Sequence, residues 1–215
     1  MKKFELTDET KTVYGVHVYR IRALRDIPEG GARAGDLGGW LQSAANLVQD
    51  CTAWVSGDAR VSGTARVSGD AQVYGAAWVS GTAWVSGTAR VSGDARVSGT
   101  ARVSGDAQVY GAAWVSGDAQ VYGDAQLSAR QHVLALGPVG SEDITVTLYR
   151  TEVGHEVVAG CWGPGTLDDL GAEVKRRRGD EWVGRDPADI ARWRAQYKYF
   201  LRAGRAVVAS WHPDA

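Results

Sequence analysis

From Val55 to Gly81 the chain reads VSGDARVSGTARVSGDAQVYGAAWVSG, and from Val91 to Gly117 it reads the same letters again. Within both copies one six-residue phrase recurs. It places a branched apolar residue at Val55, Val61, Val67, Val73, Val79, Val85, Val91, Val97, Val103, Val109, Val115, Val121, Leu127 and Val133. Four residues after each position from Val55 to Val121 stands an alanine, from Ala59 to Ala125. An unbroken period of six, punctuated by glycine, predicts a parallel β-helix.

The phrase encodes short strands and tight corners. Side chains alternate along a strand, so a valine that points inward sends both neighbours outward. Glycine followed by Asp, Thr or Ala makes the corner, because glycine accepts a positive φ and Asp bonds nearby backbone. The alanine tucks into that corner. The two identical stretches are offset by 36 residues (Val91 against Val55). A copy of two whole 18-residue coils keeps every side chain on its own face. Leu41 and Leu47, with Ala45 four after Leu41, place the first coil before Val55, with a short insertion between.

The flanks read differently. Residues 1–40 form a small β cap, with strand character at Phe4–Leu6 and Val13–Leu24 and a turn at Asp26–Gly31. Its expected role is to cover the open end of the β-helix. Residues 41–139 carry the repeat, and residues 140–215 form an α+β domain. There Ile144, Val146 and Leu148 alternate along one strand, and Val157–Trp162 returns beside it. Thr166 and Asp169 make a capping pair for a helix closed by Gly179. Asp186–Pro187 opens a second helix, with Ile190, Trp193, Tyr197, Phe200 and Leu201 on one face. Gly204 is expected to end it and Ala206–Trp211 to form a last strand. The run Lys175–Arg178 suits a helix C-terminus, either solvated or facing an acidic partner.

The VSGDAR-type phrases resemble the hexapeptide-repeat family over about residues 41–139. That resemblance implies a left-handed β-helix with three hexads per triangular coil. Many such proteins are acyltransferases that use a histidine base beside a loop thrown out from a coil. Here no excursion interrupts Val55–Leu127, and the repeat holds one histidine, His132. The head phrases ELTDETKTVYG, YRIRALRDI and AGDLGGWL, followed by AWVSGDARVSGTARV, resemble bacteriophage and prophage repeat proteins across residues 3–135. That likeness implies a viral origin and brings no catalytic motif.

Composition narrows the function. Lys and Arg number 24 against 25 Asp and Glu, for a net charge of −1, and each of the three segments is balanced as well. That argues against nucleic-acid binding, which needs a basic footprint. The amino terminus has no apolar run after its lysines, and no stretch reaches the length of a membrane span, so a cytoplasmic protein is expected. Cys51 and Cys161 lack metal-ligand spacing and are expected as free thiols, Cys51 buried. His17, His132, His155 and His212 are scattered, no metal or cofactor is expected, and the reading is non-catalytic.

What remains is the outside of the coils. With 18 residues per coil, outward positions stack into columns about 4.8 Å apart. One column reads Arg60, Trp78, Arg96, Trp114, His132. The next reads Arg66, Trp84, Arg102, Gln120. The third reads Trp54, Gln72, Arg90, Gln108, Gln126, with Tyr74 and Tyr110 on the far side of its strand. Arg stacked on Trp contributes about 0.5–1 kcal/mol per exposed contact. Such columns can stabilise the sheet alone, or present Trp, Tyr and Arg to a protein partner as interface anchors. Two readings follow. One is a phage-encoded binder of a host protein, such as an inhibitor of a bacterial defence system. The other is a structural, self-assembling repeat protein, and a homo-oligomer is expected.

Overall fold

The computed structural model describes residues 2–211. The chain divides into two compact units, Met1–Arg130 and Gln131–Ala215.

The first unit is a parallel β-solenoid with a head. β1 (Phe4–Val13) and β2 (Val16–Ala23) form an antiparallel hairpin, and β3 (Leu37–Leu41) pairs with β2. Strands β4 to β16 follow, each two residues long and six residues apart, from Trp54–Val55 to Gln126–Leu127. They do not pair with sequence neighbours. Arg96 pairs with Trp78 and Trp114, and Arg102 with Trp84 and Gln120, so partners lie 18 residues apart. Three parallel sheets result, running β3-β5-β8-β11-β14, β6-β9-β12-β15 and β4-β7-β10-β13-β16. We refer to them as the first, second and third faces.

Each coil donates its amides to the next. Arg60 N reaches Ala77 O at 2.9 Å, Ser62 N reaches Val79 O at 3.0 Å and Thr64 N reaches Gly81 O at 2.8 Å. The interior is filled as the repeat requires: Val55 to Val121 at six-residue steps and Leu127 are all 0% exposed, and Ala59 to Ala125 at most 1%. Alanine is the largest side chain this corner position carries, and a methyl deleted or added there is felt because the interior is close-packed.

Alternation between successive coils is the second rule of the fold. The outward columns never stack Arg on Arg, and Asp58, Ala76, Asp94, Ala112 alternate at one corner. At a second corner Thr52 and Thr88 donate hydroxyl hydrogen bonds to Asp70 and Asp106 of the following coil, and at a third Thr100 donates to Asp118. Like charges directly opposite each other on neighbouring strands are destabilising. The Arg columns and the Asp58 corner thus share a two-coil period with the 36-residue sequence repeat, whereas Asp106 is followed by Asp124 and Thr64 by Thr82 and Thr100.

The head closes the open end through donors. An incomplete coil precedes Ala53, as expected, with Leu41 paired to Val61 and Leu47 bridged to Val67, and the alanine carbonyls of the first complete coil are all satisfied. Trp40 N donates to Ala59 O at 2.9 Å, Asn46 Nδ2 to Ala65 O at 2.8 Å, and Lys3 Nζ to Ala53 O at 2.8 Å. Asn46 lies in a 3-10 turn (Ala44–Asn46) set by a Ser43 capping box, and it is this residue, 1% exposed, that turns inward. Ala45, expected inside, is exposed, because the first coil ends its ladder with an amide side chain rather than a packed methyl. The predicted Asp26–Gly31 turn contains a 3-10 turn at Pro28–Gly30.

The second unit is an antiparallel sheet of β17 (Val133–Val139), β18 (Ile144–Thr151), β19 (Gly154–Ala159) and β20 (Trp162–Gly165), with two helices packed on it. Its core gathers Val146, Leu148, Val157, Leu170, Trp182, Trp193, Tyr197 and Phe200. Helix α1 (Leu167–Gly179) begins with the expected capping box, in which Asp169 N donates to Thr166 Oγ1 at 3.2 Å. Helix α2 (Pro187–Ala209) runs on through Gly204, so the strand expected at 206–211 does not form. Gly204 is there for packing: a Cβ would come within 2.8 Å of Leu167 Cδ2. No helix among the described residues is long and apolar enough to cross a membrane.

Candidate interaction surface

The three outward columns form as the register requires, but they are not equally open. On the first face the head occupies the beginning of the column. Trp40 lies between Lys11, whose Nζ is 3.9 Å from the ring centroid, and Arg20, whose Cζ is 4.9 Å away. Lys11 also reaches Asp58 at 3.3 Å and holds that carboxyl below its ordinary range. Arg60 is half-buried beside Val13, Val16 and Val18. Trp78 is half-buried beneath the hairpin tip, with Tyr14 stacked on it at 5.3 Å and 11°. Its indole N–H donates to Ser62 Oγ at 3.2 Å.

Further along the same face the column opens. Arg96 is exposed, with its Cζ 6.0 Å from the Trp78 centroid. Trp114 is 39% exposed, donates to Ser98 Oγ at 3.3 Å and carries Arg130 5.0 Å over its ring. Arg130 stands where His132 was expected to continue the column. His132 instead lies in a 3-10 turn of the second unit, 6% exposed, edge-on to Trp211 at 6.0 Å.

On the second face the column is open. Trp84 is 49% exposed, between the exposed Arg66 and Arg102, and Arg102 Cζ is 5.7 Å from its ring. Gln120 ends the column and accepts from Tyr122 Oη at 2.7 Å. Between the first and second faces runs the corner column Thr64, Thr82, Thr100, Asp118. Its threonine hydroxyls donate to Gly81, Gly99 and Gly117 carbonyls at 3.4, 3.2 and 3.1 Å. These bonds tie each coil to the next at the corner, beside the backbone bonds of the strands.

The third face corrects the sequence reading. Trp54 was expected outward and available, and its position is outward, but it is 3% exposed. The head lies on it so closely that a Cβ on Gly30 would sit 2.6 Å from Trp54 Cβ, and one on Gly38 2.7 Å from Cζ2. Gln72 Nε2 donates to Glu29 O on the same side. Trp54 thus serves the head, not a partner. Tyr74, 39% exposed, and the half-buried Tyr110 remain open on this face.

In the second unit the Lys175–Arg178 run is largely spent internally. Arg176 pairs with Glu173 and Glu181 at 2.7 Å each, and Arg177 with Glu173 at 2.8 Å. These guanidinium groups hold the Glu173 carboxyl down at about 2. Lys175, the first residue of that run, instead lines a cleft of about 780 Å³ between the two helices together with three cations from outside the run, Arg194, Lys198 and Arg202. The sequence reading passed over Arg194, Lys198 and Arg202 because they are four residues apart on α2 and do not form a run. Among the described residues no group of three His, Cys, Asp or Glu is placed to hold a metal ion.

A family model, the YdcK beta solenoid repeat, matches residues 65–81 and 101–117. The two matches are 36 residues apart, the two-coil period of the columns. Comparison with curated proteins finds no match. The chain is a β-solenoid repeat protein.

Proposed function

We propose that the protein is a non-catalytic binding protein that offers rigid solenoid faces to a protein partner, and that the partner is a host protein if the gene is phage-borne. The observation that carries this reading is Trp84, an indole 49% exposed on a strand of the second face, flanked in register by Arg66 and Arg102 and with the Arg102 guanidinium over its ring. Trp and Arg are enriched among interface anchors, and a side chain already fixed by its neighbours loses little freedom on binding. Trp114 with Arg96 and Arg130 extends the surface around the threonine corner. A triangular, left-handed coil of the hexapeptide-repeat type would make these two faces adjoining sides of one prism.

Capture from bacterial lysate, read by mass spectrometry, tests the proposal. The parent is compared with a Trp84→Ser/Trp114→Ser variant and with Trp78→Ser, whose indole Tyr14 already covers. A foreign protein recovered stoichiometrically by the parent and by Trp78→Ser, and lost by the double variant, supports it. Recovery that survives the double change removes the columns as the site. Recovery of the chain alone, in a defined oligomer, favours the self-assembling reading.

A further inference from the structure

Lys3 is 0% exposed, an unusual position for a lysine, and its Nζ contacts both Ala53 O at 2.8 Å and Cys51 Sγ at 3.6 Å. The carbonyl contact belongs to the closure of the first coil. The sulfur contact does not, because Cys51 makes its own bond to Val48 O at 3.3 Å. Cys51 is free and half-buried, so a small oxidant reaches the thiol while the amine behind it stays shielded. Burial also lowers the proton affinity of Lys3, against the opposing pull of Cys51 and Asp50, which favours the nucleophilic neutral amine.

We propose that Lys3 and Cys51 form a modification site at which peroxide creates a covalent amine–sulfur link. Hydrogen peroxide first oxidises the thiol to a sulfenic acid, its O–O bond breaks and one water leaves. The Lys3 nitrogen then attacks that sulfur. The N–S bond forms, the S–O bond breaks, and the hydroxyl departs as water with a proton from the amine. A second peroxide then inserts one oxygen: its O–O bond and the N–S bond break, the N–O and O–S bonds form, and another water leaves. The remaining N–H still has Ala53 O as its acceptor, so the closure of the coil survives the reaction. The link joins residue 3 to residue 51 and fastens the head to the first coil under oxidising conditions.

The test uses the full chain carrying Cys161→Ser, which removes the exposed second thiol. After hydrogen peroxide, intact mass should show loss of two hydrogens, or gain of one oxygen with loss of two hydrogens. Peptide mapping should join the Lys3 and Cys51 segments, and dithiothreitol should separate them. In Lys3→Arg, which keeps the cation but not the nucleophile, Cys51 should proceed to the sulfinic acid instead. The parent alone decides the matter: if its Cys51 ends as sulfinic or sulfonic acid with no Lys3-containing adduct, the proposal is overturned. Cys51→Ser, with circular dichroism matching the parent, should show no mass change at all.

Discussion

Gly99 and Gly117 occupy the same corner one coil apart, with φ of +70 and +64. Both need a left-handed backbone, which an L side chain adopts at a cost of about 1 kcal/mol. They differ in what lies above. A Cβ on Gly99 would meet Gly117 N and O at 2.9 Å, whereas one on Gly117 meets nothing within 4 Å. Gly99→Ala should therefore destabilise by about 2–4 kcal/mol, strain plus displaced backbone, and Gly117→Ala by only about 1 kcal/mol. Urea unfolding midpoints decide the order. A second residue sets a pH dependence. His155 Nε2 accepts from Leu167 N at 3.1 Å, at the start of α1, and burial lowers its proton affinity below the ordinary 6.5, only partly opposed by Asp168. A histidine with a depressed folded pKa binds fewer protons folded than unfolded, so it contributes stability above 6.5 that is lost as pH falls below it. The second unit should thus melt at lower temperature at pH 5 than at pH 7.5, and His155→Asn should flatten that difference. At this scale the sequence was most readable where a position is repeated. The inward valines and corner alanines followed from spacing alone. Trp54 and Trp78 did not, because register tells which way a side chain points and not what distant segment lies on it.

Strands of two residues cannot stand alone, so each element here is stable only through its neighbours in adjoining coils. The first coil is the exception that needs outside help, and its helpers are chemically diverse: a backbone N–H from β3, a side-chain amide and an ammonium. Asn46→Ala should leave the Gly63 and Ala65 carbonyls without their donor and cost about 1–3 kcal/mol. Asn46→Asp, with two acceptors facing two carbonyls, should be worse than alanine, and thermal denaturation of the pair checks the order. That a cap would exist was readable from the abrupt start of the repeat. Which residues close it was not, because a donor reaching a carbonyl from elsewhere in the fold leaves no period in the sequence. Helix α2 shows the same limit: Gly204 reads as a terminator by its conformational freedom, yet its contact with Leu167 makes it a packing residue inside the helix.

At the scale of the molecule, the two-coil period ties stability to surface chemistry. Deleting residues 73–90 removes one coil and sets Arg60 against Arg96, Arg66 against Arg102, Asp58 against Asp94 and Asp70 against Asp106. Deleting residues 73–108 removes two coils, restores Arg60 against Trp114 and Arg66 against Gln120, and leaves one like-charge pair, Asp70 against Asp124. Like charges about 4.8 Å apart on an exposed sheet each cost a few tenths of a kcal/mol. The one-coil deletion should therefore have a lower unfolding midpoint than the shorter two-coil deletion, and added salt should narrow the gap. Equal midpoints at low salt would show that alternation does not matter to the fold. The same alternation leaves tryptophans exposed between arginines, and the central claim is that those tryptophans meet a protein partner. Hydroxyl-radical footprinting of the chain, free and in complex with the protein it captures, tests this most directly. The account predicts protection at Trp84 and Trp114, with Trp54 and Trp78 unchanged. Protection confined to residues 131–211, with Trp84 as reactive bound as free, would contradict it.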